Sequence, residues 1–529
     1  MVALRVKQWI LLSGISSLLM MSCGLPRQLG HPAGNPALCR HKVIVLIVDS
    51  LTSDALTKAA SDAKYPAIRY LMEHGHYFPK VIASFPSMTV SDVSTLLTGT
   101  YPEAHRIPGL VWIDVHQQKV INYGNNFRQA LMLGPHSVVQ NALYALNQTH
   151  LSKHVRTVFE DLQTAGHTTG AINLLVFRGK TPHQISLPLY ARPFFNPLSY
   201  RVLAANTFVF GQLTANSVGQ RNQGIFHRMG LNDDFSTQSL IQLIKSRKLP
   251  DFTMVYLPDN DSVIHKQGVY AMRGVEHFDK NLQKILSTYG NWAAALTHAT
   301  LVIMGDSGVT PVLPAHERPT ILLRNLFPHQ AIYRWGHPIR AQDDVGFAVN
   351  SRMAYVYLFN HRISLEQAAN RLRNDRRIDV VAWSDGRHVR VTNQETRGSV
   401  LQFRKGGPYK DPYGVAWTIQ GSPKVLDIRI DSKGAMVYGR YPDALHQLWS
   451  ALHDQDGHYL VVTAKRGYQF GDERSPTHDG GAQQASLLDE DVYAPLLIDG
   501  TDRLPSKPLR FVDLKRYFLS LVQNYTHME

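Results

Sequence analysis

Six aliphatic residues in a row, Val43–Val48, run without a polar break and stop at Asp49. A strand with one solvated face alternates apolar and polar side chains. An unbroken apolar run belongs instead to a strand covered on both faces, as in a parallel sheet. Similar runs return at 169–176, 252–257 and 299–304, and helical periodicity fills 67–74, 154–165, 236–246 and 274–289 between them. Strands alternating with helices predict an α/β fold, a wound and mostly parallel sheet flanked by helices. Ligands of such sheets gather beyond the carboxyl ends of the strands. Asp49, Asp259, Asp261 and Asp306 all follow such ends, which points to one shared site.

The character changes near residue 353. Short β-rich runs at 355–358, 380–383, 389–391, 400–403, 426–430 and 436–438 are separated by turns, with a helix over 365–374. This predicts an inserted α+β subdomain over 351–468, dividing a core of 42–350 from its return at 469–529. The return carries an apolar run at 494–498 and an amphipathic helix near 511–523. With 529 residues, 44% hydrophobic and 18% charged, the chain has ample material for a folded core.

The N-terminus predicts export. Arg5 and Lys7 precede an apolar run from Trp9 to Met21, followed by Ser22-Cys23-Gly24. The run is short for a membrane span of about 20 residues and fits a signal peptide over 1–22. The Ser-Cys step resembles a bacterial lipoprotein processing site, so Cys23 is expected to carry lipid and hold the protein on the outer side of the cell membrane. Plain secretion is the alternative. Residues 23–41, rich in proline and glycine, read as a tether. The only other cysteine is Cys39, which excludes a disulfide framework and a cysteine-based metal site. The net charge of +14 is dispersed, with no basic run or nucleic-acid motif. It suits an anionic surface or substrate, and no specific nucleic-acid binding is expected.

Five segments carry candidate chemistry. Asp49 follows the first strand. Thr89 stands nine positions ahead of Thr98-Gly99, which leads into Tyr101-Pro102 and His105. This reads as a hydroxyl at the start of a short helix that Gly99 ends, where free amides and the helix dipole favour an anion. Asp261 and His265 are four apart, a spacing that aims both at one point from a helical turn. Asp306-Ser307-Gly308 ends another buried run, and His478 lies in a loop with Gly480 and Gly481. Carboxylates, imidazoles and a hydroxyl without thiolates suit Zn²⁺ or Mn²⁺.

These residues resemble the alkaline phosphatase superfamily, and within it the type I phosphodiesterase/nucleotide pyrophosphatase branch. That branch has Thr-Phe-Pro-Asn ahead of Thr-Gly-Leu-Tyr-Pro-Glu-Ser-His, and the spacing from hydroxyl to Thr-Gly is the same here. Its Asp-Ser-x-x-His element with Lys-x-Gly corresponds to Asp261-Ser262 through His265-Lys266 and Gly268. Its Asp-His-Gly element corresponds to Asp306-Ser307-Gly308, and its late His-Gly element to His478 and Gly480. The resemblance implies two divalent metal ions, Zn²⁺ before Mn²⁺. One would be held by Asp261, His265 and His478, the other by Asp49, Asp306 and Thr89. Thr89 would attack phosphorus to form a phospho-enzyme that water then hydrolyses, on a small phosphorylated substrate. Two positions depart from the pattern. Ser307 replaces a metal-binding histidine, which leaves the second site one strong ligand short and favours a harder ion. Asp92 replaces an asparagine that donates to phosphate, which makes it the candidate substrate-binding residue and argues against ordinary nucleotide specificity. Ser84-Phe85-Pro86-Ser87 invites a sulfatase reading, but Met88 stands where sulfatases require arginine and the register selects Thr89. A phosphonate or phosphomonoester hydrolase, and a catalytically weak envelope protein binding anionic polymers, are the alternatives. The leaving group is expected to be chosen by the insertion and by aromatic residues such as Trp112.

Overall fold

The structure is a computed structural model that describes residues 41–192, 195–214, 230–396 and 398–523. The expected signal peptide over 1–22, Cys23, Cys39 and the expected tether up to residue 40 lie outside the described residues.

The core sheet has seven strands: β1 (Lys42–Val48), β2 (His76–Ile82), β3 (Thr169–Ile172), β4 (Thr207–Val209), β5 (Phe252–Leu257), β6 (Ala299–Gly305) and β7 (Tyr493–Asp499). Their order is β2-β7-β6-β1-β5-β3-β4. The β6-β1, β1-β5, β5-β3 and β3-β4 pairs are parallel, and β7 runs antiparallel to both its neighbours. The unbroken aliphatic run of β1 has a direct explanation. Val43, Val45 and Ile47 pack into one hydrophobic cluster, and Ile44, Leu46 and Val48 into another on the opposite face. Each such side chain contributes roughly 1.5–3 kcal/mol by burial, so a polar residue on either face would be costly. The run at 169–176 leaves the sheet after Ile172, because Asn173 adopts φ 56° and turns the chain away.

A second sheet of seven strands is antiparallel throughout. Its order is Val345–Asn350, Met353–Leu358, His458–Ala464, Ile378–Ser384, Val389–Asn393, Val400–Lys410 and Ala416–Gly421. It begins at Val345, six residues ahead of the position expected from sequence. The helix Leu365–Arg373 packs on it and starts with a capping box between Ser364 and Gln367. Residues 428–430 and 436–438 form a separate two-stranded ribbon. Two features carried no sequence expectation: helical turns over 127–150 ending in the π-helical stretch Asn141–His150, and a hairpin of Thr181–Ser186 with Ser199–Ala204.

Candidate active site

The site lies at the carboxyl ends of β1, β5 and β6. Asp49 directly follows β1, and its amide bonds to the Leu257 carbonyl at the end of β5 (3.0 Å). Asp306 directly follows β6. At Gly305 a Cβ would overlap the Leu51 carbonyl, so glycine permits the close approach of the β1 loop to Asp306. Helix α1 (Thr89–Thr98) starts at the same end. Its N-cap is Met88, which makes no side-chain cap, and Gly99 closes it in the left-handed conformation (φ 64°). The Thr89 hydroxyl is therefore not spent on capping. It donates to Asp306 Oδ2 at 3.1 Å.

Helix α2 (Asp259–Gln267) brings Asp261 and His265 together, with His265 Nε2 2.9 Å from Asp261 Oδ1. His265 Nδ1 is held by the Ala482 carbonyl at 2.7 Å, which fixes the ring. His478 stacks on His265 at 4.1 Å between ring centroids. This approach needs Gly481, where a Cβ would overlap the His265 carbonyl oxygen.

The two groups of residues meet at Ser50. Its backbone is left-handed (φ 55°), its amide donates to Asp306 Oδ1 (2.9 Å), and its hydroxyl donates to Asp261 Oδ1 (2.8 Å). Asn260 locks this turn by donating to the Asp49 and Ser50 carbonyls (2.9 and 3.0 Å). The Tyr256 phenol, near the end of β5, donates to Asp49 Oδ2 and lies 3.4 Å from Thr89 Oγ1.

The electrostatics are those of crowded, buried carboxylates. Burial pushes Asp49 well above the usual carboxylate range, and the Asp261 and Asp306 charges push it further. Burial likewise lifts Asp306 to about 6, with Asp261 adding to the rise against the Ser50 amide. Burial alone would raise Asp261, but the charge and hydrogen bond of His265 outweigh it and hold Asp261 low. His478 is lowered to about 4 by burial and by the neighbouring His265. Asp49 and Asp306 resist ionising together, and the His478 Nδ1 beside them is buried without a hydrogen-bond partner. Divalent cations fit that donor set.

These groups open into a cavity of about 390 Å³ whose lining includes Asp49, Thr89, Asp261, His265 and His478. Six of the residues expected from sequence are thus brought together. Asp92 is not among the lining residues. It lies on α1 itself, fully buried, where its Oδ1 accepts from the Ser84 amide and hydroxyl (2.9 and 2.8 Å). Burial, and then the Asp306 charge, push its carboxyl well up. Like Asp306, Asp92 is fully buried and outside that lining, and its Oδ2 has no hydrogen-bond partner. The Ser84 and Ser87 hydroxyls are also engaged, with Asp92 and with the Ala485 amide (3.1 Å). From the insertion, only the turn residue Ser351 lines the cavity among the described residues, and Trp112 is not in the lining. Asp259 faces away: its carboxylate accepts from the Asp233 amide (3.0 Å), its own amide donates to the Asp233 carboxylate (2.9 Å), and the two carboxylates group there with His277.

Residues 43–478 match the model of the type I phosphodiesterase/nucleotide pyrophosphatase family. The chain belongs to this family. The type I phosphodiesterases are hydrolases of phosphoric ester bonds, and this chain is one of them. Human ectonucleotide pyrophosphatase/phosphodiesterase 5 shares the fold with a TM-score of 0.54 at 14% identity, over 91% of this chain and 95% of that one. The murine counterpart, in an inactive form in complex with AMP, matches with a TM-score of 0.54 at 13% identity, over 91% and 95%. Phosphonoacetate hydrolase from Sinorhizobium meliloti 1021 in complex with phosphonoformate gives 0.52 at 15% identity, over 91% and 96%. At these identities the likeness is one of fold.

Sequence reasoning missed Ser50, Tyr256, Asn260 and Gly305 in this type I phosphodiesterase. Each neighbours a recognised motif residue or lies in the last two residues of a recognised strand, and that adjacency was the available signal.

Proposed function

We propose that this protein hydrolyses phosphodiesters or related phospho-compounds through a phosphothreonine formed at Thr89. The observation that carries this reading is the Thr89 hydroxyl. It stands at the first turn of α1, leaves the helix uncapped, and donates to Asp306 while facing a cavity lined by Asp261, His265 and His478. In the first step Thr89 Oγ1 bonds to phosphorus, the bond to the leaving oxygen breaks, and the hydroxyl proton departs along its existing hydrogen bond to Asp306. In the second step water attacks the phosphothreonine and gives up a proton, which balances the alkoxide released in the first step, the phosphorus–Oγ1 bond breaks, and Thr89 Oγ1 takes its proton back from Asp306. The α1 amides face the anionic phosphoryl group.

Two divalent cations fit this reading, one at Asp261, His265 and His478 and one at Asp49, Asp306 and Thr89. When bound they would neutralise phosphoryl charge and ease loss of the hydroxyl proton. Zn²⁺ is the first choice and Mn²⁺ the second. The substrate is a small phosphorylated molecule, and the chain is exported and held at the membrane by lipid on Cys23, a reading supported by residues 1–24 of the sequence.

Thr89→Ala is expected to abolish hydrolysis of bis-p-nitrophenyl phosphate by the purified chain, a loss of 10³-fold or more (about 4 kcal/mol). Retained activity would overturn the assignment. Phosphomonoesters and phosphonoacetate in the same panel identify the leaving group.

A further inference from the structure

Several donors on the cavity wall are already spent on the protein. Asn125 Nδ2 donates to Gln129 Oε1 (2.9 Å), and the Ser262 hydroxyl donates to the Asp259 carbonyl (3.0 Å). The Ser351 hydroxyl donates to Gln483 Oε1, and Gln483 Nε2 to Gln469 Oε1 (3.3 Å). Lys266 also lines the cavity, on an exposed side chain. Gln484 differs from all of these. It lines the same cavity and is only 5% exposed. Its main chain is held on both sides: its amide donates to Ser351 Oγ (3.4 Å), and its carbonyl accepts from the Arg352 amide (3.1 Å). Its Oε1 lies 3.5 Å from Ser50 Oγ, where the two groups of site residues meet. Its Nε2 donates to no atom among the described residues and is not sealed from solvent. Buried amides ordinarily find a partner. A donor fixed at a cavity wall without a protein acceptor is placed to serve a ligand.

We propose that Gln484 is a catalytic residue of the hydrolysis, whose Nε2 donates a hydrogen bond to a non-bridging phosphoryl oxygen as Thr89 attacks. The proposal rests on the phosphothreonine reading above and deepens it. Thr89 and Gln484 open on one cavity and are tied to one junction, Thr89 through Asp306 and Gln484 through Ser50. With Oε1 turned to Ser50, Nε2 is the amide atom left for the ligand. Charge that develops on the phosphoryl oxygens in the transition state is stabilised most by donors already in position. A primary amide is such a donor and stays one at any working pH, because it carries no charge and does not titrate.

The test is the turnover of bis-p-nitrophenyl phosphate by purified full-length variants. Gln484→Leu keeps bulk and removes the amide. It is expected to lower kcat about 10²–10³-fold, with KM within about threefold of the parent, as for a bond made in the transition state. A kcat within about threefold of the parent overturns the proposal. Gln484→Glu keeps the length and the oxygen facing Ser50 but sets an oxygen where the donor was. It is expected to lose at least as much, and retained activity overturns the proposal even where the leucine variant does not fold. The two enantiomers of methyl p-nitrophenyl phosphorothioate separate this role from one confined to holding Ser50. Each places sulfur, a weak acceptor, at one non-bridging position. Gln484→Leu is expected to shift the preference between them by about fivefold or more, since it lacks the bond that sulfur weakens. Equal slowing of both enantiomers overturns the proposal. The two readings fail separately. A Thr89→Ala variant that stays active sinks the phosphothreonine reading, whereas an inactive Thr89→Ala beside a fully active Gln484→Leu sinks only this inference.

Discussion

Arg352 and Asp491 form an ion pair with both side chains fully buried, and breaking it yields a sharp prediction. Arg352 Nη1 lies 2.7 Å from each carboxylate oxygen, and its other nitrogens donate to the Tyr468 and Ala464 carbonyls at 3.2 Å. Asp491 also accepts from the Ser486 amide (2.7 Å) and the Thr310 hydroxyl, and its carbonyl holds the Gly308 amide (2.9 Å) beside Asp306 and Ser307. The perturbation is Arg352→Met, which keeps the apolar stem and removes the guanidinium. A buried carboxylate left without its cation costs about 3–5 kcal/mol, and each carbonyl left without a donor about 1 kcal/mol more. A loss of about 4 kcal/mol or more is expected, roughly a 10³-fold fall in the folded-to-unfolded ratio. Removing the charge as well, in Arg352→Met with Asp491→Leu, should recover at least about 2 kcal/mol. The assay is urea unfolding, with coincident circular dichroism and tryptophan fluorescence transitions defining the fit. A single variant within about 1 kcal/mol of the parent, or a double variant no better than the single, would refute the reasoning.

Asp92→Asn tests the burial of that carboxyl on α1 against Ser84. The folded state holds Asp92 above its usual range, so its contribution is present at low pH and is lost as pH rises through the raised value. Urea midpoints at pH 5 and pH 8 should therefore move in favour of the asparagine variant as pH rises. Its turnover should stay within about tenfold of the parent, and a far larger drop would return Asp92 to the substrate site. Cys23→Ser should move the protein from the membrane fraction to the soluble one, and an unchanged distribution would sink the lipid-anchor reading.

Much of the core was legible in the chain because its cause is local. A strand covered on both faces must be apolar at every position, and β1 is. The Thr89, Asp261–His265, Asp306 and His478 segments were recognisable because a helix start, a four-residue spacing, a strand end and a glycine-rich loop are each written in a few consecutive residues. Direction and partnership were less legible. Nothing in Tyr493–Asp499 announces that β7 runs antiparallel inside a parallel sheet, since a doubly covered strand has the same composition either way. The start of the second sheet at Val345 escaped for a similar reason: Val345–Asn350 is as uniformly buried as a core strand.

The sequence by itself determined that an α/β sheet would deliver carboxylates to one edge and that Thr89, in register with Thr98-Gly99, would be the hydroxyl beside them. Only the tertiary structure decided what each of those groups touches. Ser50 reaches Asp261 and Asp306 across 211 and 256 residues of chain, and Tyr256 reaches Asp49 across 207. Asp92, one helical turn from Thr89, is fully buried with its Oδ1 held by Ser84. Such contacts are fixed when strands pair and helices pack, and no local period records them. The sequence therefore supplied the atoms of the site, and folding sorted them into two groups that meet at Ser50.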